Sequence, residues 1–309
     1  MQNVISTKST FKIEPKHTTH SGGKGEYLHD WYPYLEGFSS SFVNEILKMY
    51  SPNAMRVLEP FSGVGTTVIN SSILGYTSYY CEINPILRKV TDLKIQVLNL
   101  SRKDRLDLSK KIINLYTNLK KNIEDTNTFE PLRTQYYACF SKSVFFTPVT
   151  FENILKLRTF INHISTEDEL LANVIEVAVL SCLVPCSLLK RSGDVRFKTE
   201  KELKHGIPEL INSVIKQLEI MAKDCINLPE SLAHSYLLAN NSKEILNIES
   251  IQADIVITSP PYLNGTNYFR NTKLELWFTG NIVNSKSLRL FRDQVVTSGI
   301  NDVTKDKGK

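Results

Sequence analysis

Short apolar runs and long amphipathic stretches alternate along this chain. Val57-Leu58-Glu59, Thr77 to Ile83, Ser235 to Ala239 and Asp254 to Thr258 have the length and composition of buried strands. Elsewhere the apolar positions recur every three or four residues, which predicts helices. One runs from Ser39 to Tyr50. A second, Val68 to Leu74, stops at Gly75, a residue suited to a left-handed C-cap. Asn84-Pro85 opens a third that reaches about Leu100, and helical patterns then cover Asp104 to Asn122, Thr150 to His163, Glu167 to Leu189 and Glu200 to Ile226. Roughly residues 100–230 are therefore expected to form an all-helical insertion between the second and third strands of an α/β fold.

Two strand ends carry the candidate chemistry. Asp254-Ile255-Val256-Ile257-Thr258 runs into Ser259-Pro260-Pro261-Tyr262. Consecutive prolines fix φ and have no N–H to donate, so the strand must end there, at the carboxyl edge where open α/β sheets bind ligands. The turn sets a hydroxyl, a backbone carbonyl and an aromatic ring side by side. That set suits an exocyclic amine on a flat base: the two oxygens accept its hydrogens and the ring stacks on the base. Taken alone, two prolines also make an ordinary strand stop. The second strand end, Val57 to Thr67, is a strand, a glycine turn and a helix start. Gly63 and Gly65 let backbone approach a ligand closely, and Thr66 or Thr67 is expected to cap the helix. Glu82 follows about 20 residues later, where nucleotide folds bind a ribose hydroxyl.

Together, Glu59-Pro60-Phe61-Ser62-Gly63-Val64-Gly65-Thr66-Thr67 and Ser259-Pro260-Pro261-Tyr262 resemble the cofactor and catalytic motifs of the S-adenosylmethionine-dependent DNA amino-methyltransferases. Asn267 to Arg270 and Lys273 to Trp277 resemble the restriction–modification members. The resemblance covers both ends of the chain well and the middle poorly. It implies a Rossmann-like methyltransferase sheet, S-adenosylmethionine as cofactor and double-stranded DNA as substrate. It implies amine activation by Ser259, Pro260, Pro261 and Tyr262, and a cofactor site of Glu59, Pro60, Phe61, Gly63, Gly65, Thr66, Glu82 and Asn241. Serine at the first catalytic position is mostly found in cytosine-N4 enzymes, and Asp or Asn in adenine-N6 enzymes. Cytosine N4 is thus the expected target, with adenine N6 as the alternative. Lys24 to Phe38 resembles, in place and composition, the family segment that closes over the methionine end of the cofactor. An aromatic-rich edge packed on the sheet is the other reading of it.

Composition changes this picture little. The net charge of +5 fits a nucleic-acid partner without requiring one. Candidate DNA contacts are Lys190, Arg191, Arg196 and Lys198, around a Ser192-Gly193 turn, and Arg270 beyond the catalytic motif. A solvated helix end is the other reading of that basic stretch. The five scattered cysteines predict reduced thiols, with neither a disulfide framework nor a metal site. No apolar run is long enough to span a bilayer, and Met1 to Lys16 lacks the core of a signal peptide, so a cytoplasmic chain is expected.

Three parts follow: residues 1–100 with the first half of the methyltransferase domain, the insertion 101–233 as the candidate target-recognition part, and 234–309 with the catalytic motif. The family sheet continues past the catalytic turn, whereas residues 262–309 read as two short helices, Thr272 to Thr279 and Lys286 to Asp293, and a polar tail. Two explanations compete for this incomplete sheet. Either the chain is a truncated or split member completed by a second subunit, or it is a non-catalytic fragment that binds S-adenosylmethionine or DNA.

Overall fold

Helix α1 (Ser40–Tyr50) leads to strand β1 (Arg56–Glu59), which passes through the glycine turn into α2 (Thr66–Ile73) and returns as β2 (Thr77–Cys81). The structure, a computed structural model, describes residues 14–15, 17–34, 37–50, 56–248, 251–261 and 268–294. Helix α2 ends as its sequence predicts. Gly75 has φ +88°, its N–H donates to Ser72 O, and Tyr76 N–H reaches back to Ser71 O at 2.8 Å. This double closure satisfies carbonyls that a helix end leaves open. Helix α3 (Pro85–Leu98) begins at the expected Asn84-Pro85, where Asn84 Oδ1 accepts from Ile86 N–H at 3.0 Å.

A helical layer follows: α4 (Arg102–Glu124), α5 (Glu130–Phe140), α6 (Pro148–Ser165) and α7 (Glu169–Leu183). Then come the hairpin β3 (Leu189–Ser192) and β4 (Asp194–Phe197), a short α8 (Glu200–Leu203) and α9 (Leu210–Asn227). The chain re-enters the sheet as β5 (Ser235–Ala239) and β6 (Ile255–Val256), and ends its described part with α10 (Tyr268–Asn271), α11 (Lys273–Phe278) and α12 (Ser287–Gln294).

The insertion is therefore not all helical. The helix expected over Glu167 to Leu189 stops at Leu183, just before Pro185, and the basic stretch beyond it folds into an antiparallel hairpin turning at Gly193, φ +76°. Leu189 and Val195 are its buried apolar positions. The helix expected over Glu200 to Ile226 is likewise cut into α8 and α9, at Gly206-Ile207-Pro208, where Gly206 has φ +79°. Helix α5 was not apparent from periodicity.

Among the described residues the sheet is parallel, in the order β5-β2-β1-β6, a Rossmann-like α/β arrangement. Its two faces differ sharply. Val57, Glu59, Ser78 and Tyr80 share one face and are each at most 3% exposed. Val43 and Leu47 of α1 pack there against Val57. The other face presents a registered row of Val256, Leu58, Tyr79 and Tyr236. Val256 is 54% and Tyr236 50% exposed, although parallel sheets are ordinarily covered on both sides.

The largest core runs through the helical layer and includes α11. Trp277 of α11 lies 5.0 Å from the ring of Tyr136 and 6.0 Å from that of Phe151, and its Nε1–H donates to Leu132 O at 3.1 Å. Helix α11, beyond the Ser-Pro-Pro motif, is thus anchored in the helical layer. The five cysteines are free thiols. Among the described residues, no helix is long and apolar enough to cross a membrane.

Candidate cofactor and target site

The glycine turn is held from three sides. Ser62 N–H donates to Cys81 O at 3.0 Å, tying the turn to the end of β2, and Gly65 N–H closes it onto Ser62 O at 2.9 Å. From α3, Thr91 Oγ1 donates to Gly63 O at 3.0 Å and Lys94 Nζ to Val64 O at 2.9 Å. Gly63 and Gly65 have φ +55° and +84°, in the left-handed region. A Cβ at Gly65 would stand 2.8 Å from Thr91 Cγ2, and one at Gly63 3.1 Å from Cε1 of Tyr34. The first glycine therefore keeps room for an aromatic ring, and the second lets α3 pack closely.

The threonine cap expected for α2 is absent. Gly65 is the N-cap and makes no side-chain cap bond, while Thr66 heads the helix and its carbonyl accepts from Asn70 Nδ2. The helix begins at Thr66, so Thr67 lies inside its first turn, and its Oγ1 donates to Glu59 Oε2 at 2.9 Å. Glu59 is 2% exposed and also accepts from Phe61 N–H at 3.1 Å. Burial pushes its carboxyl up to about 8, against the pull of its hydrogen bonds. Pro60 and Phe61 follow it as the half-buried start of the turn.

Glu82 stands just beyond β2. Its Oε2 accepts from Gly63 N–H at 2.7 Å and its Oε1 from Asn84 N–H at 2.8 Å. Burial raises this carboxyl to about 7. Burial also lowers the Lys94 ammonium to about 7. Lys94 is a residue the sequence reading overlooked; its signal is a lysine inside the apolar stripe that Val90 and Val97 continue.

The proline motif lies beside this turn. Ile257 N–H donates to Leu58 O at 3.2 Å, extending the β1–β6 ladder, and Thr258 Oγ1 donates to Glu59 Oε1. Ser259, Pro260 and Pro261 then leave the sheet at the carboxyl ends of β1 and β6; Ser259 and Pro261 are half-buried and Pro260 exposed. Tyr262 lies outside the described residues. Open α/β sheets bind ligands in the crevice at such strand ends.

The remaining candidates sit elsewhere. Asn241 follows β5, where its Oδ1 accepts from Lys243 N–H at 3.1 Å and its Nδ2 donates to Gln294 O at 2.9 Å. Lys190 and Arg196 both pair with Glu202 at 2.8 Å, and Lys198 donates to Pro185 O and Ser187 O at 2.9 and 2.7 Å. Arg270 stands 3.7 Å from Asp194 Oδ2. Arg191 points inward, with its side chain 12% exposed, and pairs with the fully buried Glu275.

The sequence matches no protein-family model. It is 24% identical to the type II methyltransferase M.BsoBI of Geobacillus stearothermophilus, over 99% of this chain and 62% of that protein. It is 23% identical to the type II methyltransferase M.AvaI of Nostoc sp., over 87% of this chain and 57% of the other. The chain is similar to these two type II methyltransferases over most of its own length. It spans about 60% of the length of these curated methyltransferases, and their kinship agrees with the family its two motifs resemble.

Proposed function

We propose that this chain carries the cofactor turn and the amine-binding turn of an S-adenosylmethionine-dependent DNA methyltransferase of the restriction–modification type, with cytosine N4 as target. The reading rests on one observation above all: the Thr258–Glu59 hydrogen bond brings the Ser-Pro-Pro turn to the edge of the glycine turn. The residues fit the cofactor. Ser62 Oγ is buried with no hydrogen-bond partner among the described residues, at the turn itself. Each Glu82 oxygen has one backbone donor and keeps a lone pair for a ribose hydroxyl. Tyr34 lies against Gly63, as a segment closing over the cofactor requires.

When bound, S-adenosylmethionine supplies an electrophilic methyl group on a sulfonium. Ser259 Oγ and the Pro260 carbonyl accept the two hydrogens of the amine, which draws its nitrogen toward tetrahedral geometry and localises the lone pair. These bonds strengthen as positive charge develops on nitrogen, so they act mainly in the transition state. The serine hydroxyl is a weak base, and the proton leaves only once the nitrogen is charged. Tyr262 stacks on the extruded base; such stacking returns about 1–3 kcal/mol against an extrusion cost of a few kcal/mol. Lys190, Arg196 and Arg270 keep side chains 50%, 42% and 56% exposed, and are the basic residues assigned to phosphate contact.

A second subunit is proposed to cover the apolar row of Val256, Leu58, Tyr79 and Tyr236. Such a row on a parallel sheet calls for a packed layer, and the matched methyltransferases have further length in which to hold one. The test of the activity is digestion of treated DNA to nucleosides and mass measurement. N4-methylcytosine is expected, and it is lost in Ser259→Ala. Methyl on adenine alone replaces the target with adenine N6. Cofactor binding without transfer, with or without the second subunit, leaves only the binding fragment.

A further inference from the structure

Resting on that reading, we propose that Arg191 is a positioning residue: it fastens the aromatic segment over the glycine turn to helix α11, so that the elements on either side of the cofactor turn are held as one unit. Arg191 belongs to the basic hairpin, yet it faces the protein. Its Nη2 donates to Tyr32 Oη at 2.8 Å and pairs with Glu275 Oε1. Its Nη1 donates to Pro33 O at 3.2 Å, and its Nε to Asn271 O at 3.3 Å. The guanidinium lies 5.3 Å from the centre of the Tyr32 ring. A planar fork with several N–H groups reaches these partners in separate segments together, which a lysine ammonium does not. Glu275 is 0% exposed, and its Oε2 has no partner among the described residues. The carboxylate thus depends on Arg191 and on Tyr32 Oη, which donates to Oε1 at 3.1 Å.

The contacts close into a circuit around the cofactor turn. Tyr34, the residue after Pro33, lies against Gly63. Gly63 N–H and Asn84 N–H share the Glu82 carboxylate, and Asn84 Nδ2 donates to Thr272 Oγ1 at 2.9 Å. Thr272 is the N-cap residue of α11, which carries Glu275, which meets Arg191, which holds Pro33. The hairpin is clamped in the same way, since Val195 N–H donates to Asn271 Oδ1 at 2.9 Å and Asn271 Nδ2 to Gly193 O at 2.7 Å. Loosening Arg191 opens the circuit around the glycine turn.

The test uses the full chain, with radiolabelled S-adenosylmethionine in equilibrium dialysis and hydrogen exchange read over residues 27–34 and 271–278. Arg191→Lys keeps the charge and loses the fork; it is expected to bind the cofactor about 10-fold more weakly and to exchange faster in both segments. Arg133→Lys, which loses a similar fork onto Glu152 away from the site, is expected to stay within about two-fold of the parent. A lower melting temperature with unchanged cofactor affinity, or faster exchange in fewer than both segments, overturns the proposal. If Arg191→Lys does not fold, Tyr32→Phe removes a single hydroxyl and is expected to weaken binding about 3-fold; unchanged affinity overturns the proposal. If the parent chain takes up no S-adenosylmethionine, the methyltransferase reading fails by itself. Exchange in the unliganded Arg191→Lys or Tyr32→Phe chain then still decides the latch, which stands if both segments lose protection and falls otherwise.

Discussion

Thr258 Oγ1 donates to Glu59 Oε1, joining the last residue before the Ser-Pro-Pro turn to the last residue before the glycine turn. The bond lies inside the sheet, so it sets the distance between two turns that would otherwise be fixed only by backbone pairing. Thr258→Val keeps the shape and removes the donor. The expected cost is about 1–3 kcal/mol, measured by urea unfolding, because a buried acceptor on Glu59 loses its donor. Turnover is expected to fall more than cofactor affinity, since the change lies on the amine side.

Gly65 offers a test in which two causes separate. At φ +84° an alanine is strained by about 1–2 kcal/mol, and its Cβ would also press on Thr91 Cγ2 at 2.8 Å. Gly65→Ala is expected to lower both stability and cofactor uptake. Adding Thr91→Ser removes that methyl, and is expected to restore part of the stability and leave the backbone strain. Complete recovery in the double variant would show that conformation at Gly65 is unimportant.

Glu59 and Glu82 are raised by burial to about 8 and about 7 from 4.5. The folded chain therefore holds protons that the unfolded chain has released. This contribution to stability is full below pH 4.5 and is lost as pH rises through 7 to 8. The urea midpoint is expected to fall between about pH 5.5 and 7, and to fall less in Glu82→Gln. Ribose hydroxyls favour the ionised Glu82, so S-adenosylmethionine binding is expected to release a proton and tighten over the same interval. Calorimetry in buffers of different ionisation enthalpy measures that proton.

The apolar sheet row predicts poor behaviour of the chain on its own. Tyr236→Lys with Val256→Lys places charges on the half-exposed face without touching Glu59 or Glu82. Sedimentation is expected to show less self-association, and any activity gained by adding a second subunit is expected to be lost. Equal gain in parent and variant would remove the docking role from this face.

Local signals were legible in the sequence, and long-range partners were not. The strand Ser235–Ala239, the left-handed stop at Gly75 and the Asn84-Pro85 helix start each follow from backbone chemistry within a few residues, and each is found where expected. Within the basic stretch only Arg191 departs from the solvated placement that a charge run suggests. Arg191 finds its carboxylate 84 positions away, beyond the reach of any periodicity. Thr67 was not found as a cap because the left-handed Gly65 starts the helix earlier than the apolar pattern shows, and its bond to Glu59 needs β1 and α2 packed together. The hairpin itself is four residues, a turn and four residues, too short for alternation to outweigh the helical patterns on either side.

Because α11 is seated by Trp277 among the aromatic side chains of the helical layer, the long excursion between β2 and β5 cannot be trimmed as an accessory. A shortened chain made by splicing Cys81 directly to Ser235 would keep the four parallel strands and both signature turns. It would still lose the foundation on which α11 stands.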